Sequence, residues 1–208
     1  MRRPFRDDMI RRLRIPTLFL TVVLGLVYAQ PLLTPQLKAE KKADQKAEGV
    51  KKPLEILRDT SVLPAEVDRM RRAILNAAAS GDIETMRIPI EMNEIPPIIG
   101  KTKLADPIAH WRKVSADGEG REILAVFVRL FRSGFTRMAT GTGDEMYVWP
   151  YFANTPVDQL TPAQQVELLT LVSGDSFKTM TASGKYSYYR VGIAHDGTWH
   201  YFTDGADE

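Results

Sequence analysis

The sequence predicts an α+β domain in which four to six helices pack on a small antiparallel sheet at the C-terminal end. Prolines at helix-start positions recur through the middle of the chain, which favours several separate helices. Aromatic residues concentrate beyond residue 145, where an Asp-Gly pair lies between two alternating apolar segments, as in a β-hairpin. The predicted domain covers 54–208, which is a usual length for a single domain.

An export signal precedes the predicted domain. Residues 1–14 carry six Arg, the run Ile15–Ala29 is uncharged, and the run ends in Val-Tyr-Ala before Gln30, as at a cleavage site. This pattern is typical of a signal peptide over 1–29. Because the apolar run is shorter than the roughly 20 residues that span a bilayer, we expect cleavage and a periplasmic or secreted location. The alternative is an uncleaved anchor in the inner membrane, the only case in which a membrane would be a partner.

Residues 30–53 are rich in Lys, Ala, Glu and Gln and contain no aromatic residue. Such a segment has too little apolar surface to offset the entropy lost on ordering, so it is predicted to be a disordered tether. Its lysines could alternatively contact anionic envelope polymers or lipid headgroups.

The amino-acid composition excludes several classes of function. The chain contains no Cys, which excludes disulfides, thiolate metal sites and a cysteine nucleophile. Residues 53–208 hold 16 basic and 21 acidic side chains, a net charge of −5. A negative net charge repels phosphate backbones, which argues against nucleic acid as a partner. No motif indicates a cofactor or a metal site.

Three predicted helices begin at a proline, whose missing N–H costs nothing in a first helical turn. They run from Pro64 to Ala79, from Pro107 to about Val114 and from Pro162 to about Val172. The third starts with a capping box, in which the side chains of Thr161 and Gln164 bond reciprocally to backbone N–H groups.

Apolar periodicity predicts the buried side of each helix. The segment 121–132 is the most apolar and is predicted to be the central core helix. A short helix is expected over 176–181, and another begins at Ile83 and is cut by Pro89. In the helix that begins at Pro162, the residues predicted to be buried are Val166, Leu169 and Val172.

Two segments predict the sheet. Residues 145–152 indicate a strand that Pro150 ends or confines to an edge. A hairpin is predicted over 186–194 and 198–203, with its turn at Asp196-Gly197. We expect the strand to pair with the hairpin or pack on it, since an isolated hairpin is marginally stable.

A two-residue turn would place Gly192 opposite Tyr201, with the tyrosine ring over the bare glycine, and Ala194 opposite Trp199. The hairpin then has two faces. The inward residues are Tyr189, Val191, Ile193 and Phe202. The outward residues are Tyr188, Arg190, Trp199 and Tyr201.

The outward face is the predicted binding site, to which the strand at 145–152 adds Trp149 and Tyr151. Aromatic side chains on an exposed sheet face bind peptides, glycans or protein surfaces with little loss of conformational entropy. If the site is real, Trp199→Ala and Tyr188→Ala should abolish binding and leave the melting temperature unchanged. The alternative is that these aromatics form the layer against which the helices pack.

No group of titratable residues that are close in sequence forms a convincing metal or acid–base site. His195, Asp196 and His200 lie close in sequence, but Asp196 belongs to the predicted turn and no third ligand is nearby. Glu91, Glu94 and His110 would form an acid–base site only if the fold brought them together.

These observations predict a non-enzymatic, exported domain of a bacterial cell envelope, which binds an envelope protein or a cell-wall component through its aromatic sheet face. The alternative is an envelope hydrolase that uses Glu91, Glu94 and His110 as acid–base groups. A third hypothesis is a signal-anchored scaffold, for which the Lys-rich tether is a spacer.

Overall fold

Six α-helices and six β-strands make up the part of the chain that the computed structural model describes, residues 54–100 and 104–205. The predicted α+β class is confirmed. The predicted signal peptide at 1–29 and the predicted tether at 30–53 lie outside the described residues.

Five of the six helices begin and end within two residues of the predicted bounds, and the exception is the helix predicted from Ile83. They are α1 Ala65–Ala79, α2 Arg87–Glu91, α3 Pro107–Val114, α4 Arg121–Arg132, α5 Pro162–Leu171 and α6 Gly174–Ser183. Short 3-10 turns cover Thr60–Val62, Ile83–Met86, Tyr151–Asn154 and Val157–Gln159.

The strands form one mixed sheet in the order β1-β3-β4-β5-β6-β2. They are β1 Ile56–Leu57, β2 Ile98–Ile99, β3 Phe135–Met138, β4 Met146–Trp149, β5 Tyr189–Ala194 and β6 Trp199–Asp204. The predicted pairing of the 145–152 segment with the hairpin is confirmed, since β4 pairs with β5. The sheet is not purely antiparallel, because β2 pairs in parallel with β6. β1 and β2 hold two residues each, which is too few to show alternation, and β3 was not predicted either.

The main core lies between α1, α3 and α4 on one side and the inner face of the sheet on the other. Its centre is aromatic. Phe127 of α4 stacks on Phe202 with ring centroids 4.1 Å apart, and Trp111 and Trp199 meet Phe127 edge-on. Segment 121–132 is therefore the central core helix, as predicted.

A second core joins α5 and α6 to the 3-10 turn after β4. Its most buried members are Tyr151, Phe152, Val157, Leu168, Leu171 and Met180. The predicted capping box of α5 is confirmed, with the Thr161 side chain accepting from Gln164 N–H and the Gln164 side chain accepting from Thr161 N–H.

The predicted buried side of α5 is wrong in part. Leu168, Leu171 and Val172 are buried, whereas Val166 and Leu169 are exposed. Apolar residues occupy most of the circumference of this helix, so periodicity alone did not select the side that faces the second core.

Pro89 does not cut a helix. A 3-10 turn covers Ile83–Met86, and α2 then begins at Arg87, which places Pro89 within the first turn of α2. No hydrogen bond from its nitrogen is needed at that position, so the helix tolerates the proline.

The hairpin turn holds three residues rather than two. Ala194 N–H donates to Thr198 C=O, Gly197 N–H donates to Ala194 C=O, and Gly197 has φ +87°. This is a type I turn followed by a left-handed glycine, a common three-residue hairpin loop. Ala194 therefore lies opposite Thr198, one position from the predicted register.

A β-bulge then restores the predicted register. Ile193 pairs with Trp199, the ladder shifts between Ile193 and Gly192, and Gly192 pairs with Tyr201 as predicted. Because neighbouring residues of a strand face opposite sides, the shift turns Trp199 toward the core. Trp199 N–H donates to the Asn93 side-chain oxygen at 2.8 Å.

The ring of Tyr201 lies over Gly192, as predicted. A Cβ atom at Gly192 would approach carbon atoms of this ring to 2.4 Å. Only glycine allows this contact without displacement of the ring.

Gly192→Ala should therefore lower the free energy of unfolding by about 1–3 kcal/mol, as overpacked sites do. Urea denaturation would measure the change. Gly143→Ala is the matched control, since a Cβ there would meet nothing within 4 Å. Adding Tyr201→Ala to Gly192→Ala should recover part of the lost free energy of unfolding. A urea midpoint in the Gly192→Ala variant equal to that of the unaltered protein would show that the contact with Tyr201 is not made.

Candidate functional site

Three of the six predicted site residues are buried in the cores. Trp149 and Trp199 are 0% exposed and belong to the main core, and Tyr151 is 0% exposed and belongs to the second core. Their prediction as members of an exposed aromatic face is wrong. Trp149 lies on the inner face of β4, the three-residue turn directs Trp199 inward, and the chain leaves the sheet before Tyr151.

Trp199→Ala is thus expected to destabilise the fold rather than to remove a ligand contact. The indole packs edge-on against Phe127, with ring centroids 5.7 Å apart, and its N–H donates to Tyr201 C=O. We expect a loss of about 3–5 kcal/mol in chemical denaturation, as for other buried aromatics. Val166→Ala, at an exposed site, should change stability by less than about 0.5 kcal/mol. Equal stabilities of the two variants would contradict the assignment of Trp199 to the core.

Tyr151 belongs to a hydrogen-bonded network centred on Glu167 of α5. Arg58 donates to both carboxylate oxygens at 2.9 and 2.7 Å, Tyr151 Oη donates at 3.0 Å, and Gly134 N–H donates at 3.3 Å. The network ties the segment after β1 to α5 and to the 3-10 turn at Tyr151–Asn154.

The network changes the pKa values of its members. Burial opposes ionisation of Glu167, but the hydrogen bonds from Arg58, Gly134 and Tyr151 outweigh burial and lower the pKa of Glu167. Burial and the Glu167 carboxylate raise the pKa of Tyr151. Glu167 is therefore ionised, and the Tyr151 hydroxyl keeps its proton at neutral pH.

Glu167→Gln should lower the free energy of unfolding at neutral pH by about 1–3 kcal/mol, because hydrogen bonds to a charged acceptor are lost. A lowered pKa in the folded state contributes stability above the unfolded pKa and loses it as pH falls through the folded pKa. The deficit of the variant should therefore shrink below pH of about 4.

Urea denaturation across that pH range would measure the effect. Glu66→Gln is the control, since Glu66 forms a 2.8 Å ion pair with Arg69 in which both side chains are more than half exposed. A deficit that persists undiminished in acid would show that the Glu167 charge is unimportant.

Tyr188 is half-buried and bridges the two cores. Its hydroxyl accepts a hydrogen bond from Arg129 at 3.2 Å, and burial raises the pKa of Tyr188 against the opposing effect of the Arg129 guanidinium. Of the predicted site residues, Tyr188, Arg190 and Tyr201 keep partial exposure.

One of these, Arg190, lines a cavity between the two ends of the second core and the start of β5, here called the outer groove. This outer groove has a volume of about 600 Å³. Its walls are the 3-10 turn after β4, the end of α6 with the loop that follows, and the start of β5. The lining residues are Phe152, Ala153, Asn154, Thr155, Pro156, Thr179, Ser183, Gly184, Lys185, Tyr186, Ser187, Arg190 and Gly205.

Among the described residues, the lining of the groove offers cationic, hydroxyl and amide groups and no carboxylate, and its two aromatic side chains, Phe152 and Tyr186, are buried. Lys185 is exposed and forms no ion pair with any residue in 54–100 or 104–205. Asn154 is held in place because its amide donates to the buried Thr136 hydroxyl at 2.9 Å. Such a surface can hold an anionic group on a hydroxyl-rich body.

The predicted acid–base residues do not come together. Glu94 lies beside the hairpin turn, whereas His110 lines a separate cavity of about 160 Å³ with Trp111 and Phe202. Glu91 is exposed at the end of α2. Among the described residues, no hydrogen bond joins any two of these three groups, and no cluster of three His, Asp or Glu could hold a metal ion.

His195 has a partner that the sequence did not indicate. Its Nδ1 atom lies 3.1 Å from a carboxylate oxygen of Glu145, and its backbone N–H donates to Glu145 C=O. Asp196 accepts from Thr198 N–H, in keeping with its predicted place in the turn. These contacts fix the hairpin turn against the segment before β4.

The comparisons add no relative. No protein-family model matches the chain, and neither a curated protein nor a solved structure is significantly similar to it. No helix within residues 54–100 and 104–205 is sufficiently long and apolar to cross a membrane.

Proposed function

We propose that this protein is a non-enzymatic binding domain of the bacterial cell envelope, and that its outer groove holds an anionic, hydroxyl-rich component of the cell wall. The observation that carries the proposal is the lining of the groove, in which the described residues include the exposed Lys185 and no carboxylate. The basic leader followed by the apolar run at 15–29 supports export.

The shape of the groove suits a ligand of modest size. Its volume of about 600 Å³ lies within the range of sites that take small molecules. Phe152 and Tyr186 line the groove but are buried, with ring centroids 6.2 Å apart, so a ligand would meet the polar rim of the groove rather than an aromatic surface.

Recognition would depend mainly on Lys185 and on hydrogen bonds from the groove rim. Lys185 follows the C-terminal glycine of α6, and its backbone N–H donates to the Ser183 hydroxyl at 3.3 Å. The backbone below the ammonium group is therefore fixed, while the group itself can reach a ligand carboxylate or phosphate.

N-acetylmuramyl dipeptide is a suitable first probe, because it joins a carboxylate to a hydroxyl-rich sugar. Lys185→Glu should weaken its binding at least about tenfold, a change of 1.4 kcal/mol, by placing a negative charge in the groove. Isothermal titration calorimetry would measure the affinity, and amide shifts of Asn154 and Ser187 would locate it.

Lys113→Glu is the matched control, since Lys113 is an exposed lysine outside the groove. Neutral chitobiose tests whether the sugar alone is sufficient, and glycerol phosphate tests phosphate against carboxylate. If all three probes bind the Lys185→Glu variant as they bind the unaltered protein, or none binds at all, the outer groove is not the ligand site.

A further inference from the structure

A second surface lies at the opposite edge of the hairpin, where α2 leads into β2. Four large aliphatic side chains in eleven consecutive residues are exposed to solvent, which is unusual for one short segment. They are Ile88 at 63%, Met92 at 37%, Ile95 at 75% and Ile98 at 56% exposure.

Beside this segment lies an acidic recess, the edge slot, with a volume of about 320 Å³. Its lining residues are Arg69, Met92, Asn93, Glu94, Ile95, Asp196, Gly197 and Thr198. Arg69 is already paired with Glu66 at 2.8 Å, so the charges that remain are those of Glu94 and Asp196. Glu94 is exposed and has no ionic partner among the described residues.

The backbone around the slot is firmly held. The Asn93 amide donates to Pro89 C=O and Ile90 C=O at the end of α2, and its side-chain oxygen accepts the Trp199 N–H. At Gly197 a Cβ atom would lie 2.8 Å from the Glu66 carbonyl oxygen, so the hairpin turn packs directly on α1. A rigid slot costs little conformational entropy when a partner binds.

We infer that the edge slot binds a protein segment that carries a lysine or arginine next to a large apolar side chain. Charge complementarity selects the cation, which would enter the slot near Glu94 and Asp196. The exposed Met92 and Ile95 would cover the apolar neighbour.

The partner is recognised through its side chains rather than by extension of the sheet. β2 holds two residues and occupies the end of the sheet, but Pro96 and Pro97 precede it and have no N–H to offer a neighbouring strand. A long strand could not pair along this edge.

A fluorescein-labelled peptide of repeated Lys-Leu-Ser triplets tests the inference by fluorescence anisotropy. We expect the peptide to bind, and the affinity to fall as salt is raised, because surface charges are screened. Glu94→Lys and Ile95→Ser should each weaken binding at least about tenfold. Both residues are exposed, so the variants should keep the native circular dichroism spectrum.

Matched controls separate charge from apolar contact. Glu119→Lys changes an exposed carboxylate outside the slot and should leave binding intact. A peptide with Glu in place of Lys should not bind. The Lys38–Lys52 segment of this chain, which is cationic but has no large aliphatic side chain apart from Val50, should bind more weakly than the Leu-containing peptide.

Three outcomes would overturn the inference. Equal binding of the Glu-containing peptide, or an unchanged affinity in Glu94→Lys, would show that no cation is recognised. A dimer in sedimentation velocity that Ile95→Ser converts to a monomer would show that a second copy of the chain occupies the slot. The variants leave the outer groove intact, so none of these results bears on the proposed cell-wall ligand.

Discussion

The structure depends on the inward orientation of Trp199. Its indole lies in the main core, where it meets Phe127 edge-on while Phe127 stacks on Phe202. The orientation is set by the three-residue turn, which shifts the strand by one residue relative to a two-residue turn. The bulge after Trp199 then realigns Gly192 with Tyr201, so only the residues next to the turn change face.

The same turn connects the hairpin to its surroundings. Trp199 N–H, two residues after the turn, donates to the Asn93 side chain, which fixes the segment between α2 and β2 against β6. Gly197 in turn packs on the first turn of α1. The edge slot is therefore a consequence of the hairpin geometry, since both of its walls are held by contacts that the turn creates.

Local signals were sufficient to predict most of the helices, but neither the helix that contains Pro89 nor the faces of the sheet. Pro64, Pro107 and Pro162 act within a single turn, and the capping box of α5 involves residues three positions apart, so the sequence contains all the necessary information. The Asp-Gly pair suits both a two-residue turn and a type I turn that ends in a left-handed glycine. Choosing between them requires knowledge of what packs on the turn.

The candidate site was less predictable than the fold. Arg190 was identified, but Asn154 and Lys185 lie on other segments and belong to no motif, because the groove forms only when α6 packs beside the 3-10 turn after β4. Tyr151 illustrates the opposite error. The chain turns away from the sheet after Trp149, so alternation no longer predicts which side a residue faces.

The net charge of the domain and the charge of its groove act over different distances. A net charge of −5 over 53–208 repels a long polyanion, whose charges extend well beyond any one pocket. At physiological ionic strength, however, screening limits interactions between exposed charges to about 8 Å. A single carboxylate or phosphate in the outer groove would interact chiefly with the exposed Lys185. An acidic domain can therefore exclude nucleic acid and still hold a small anionic ligand, and the acidic edge slot can at the same time attract a cationic partner on another surface.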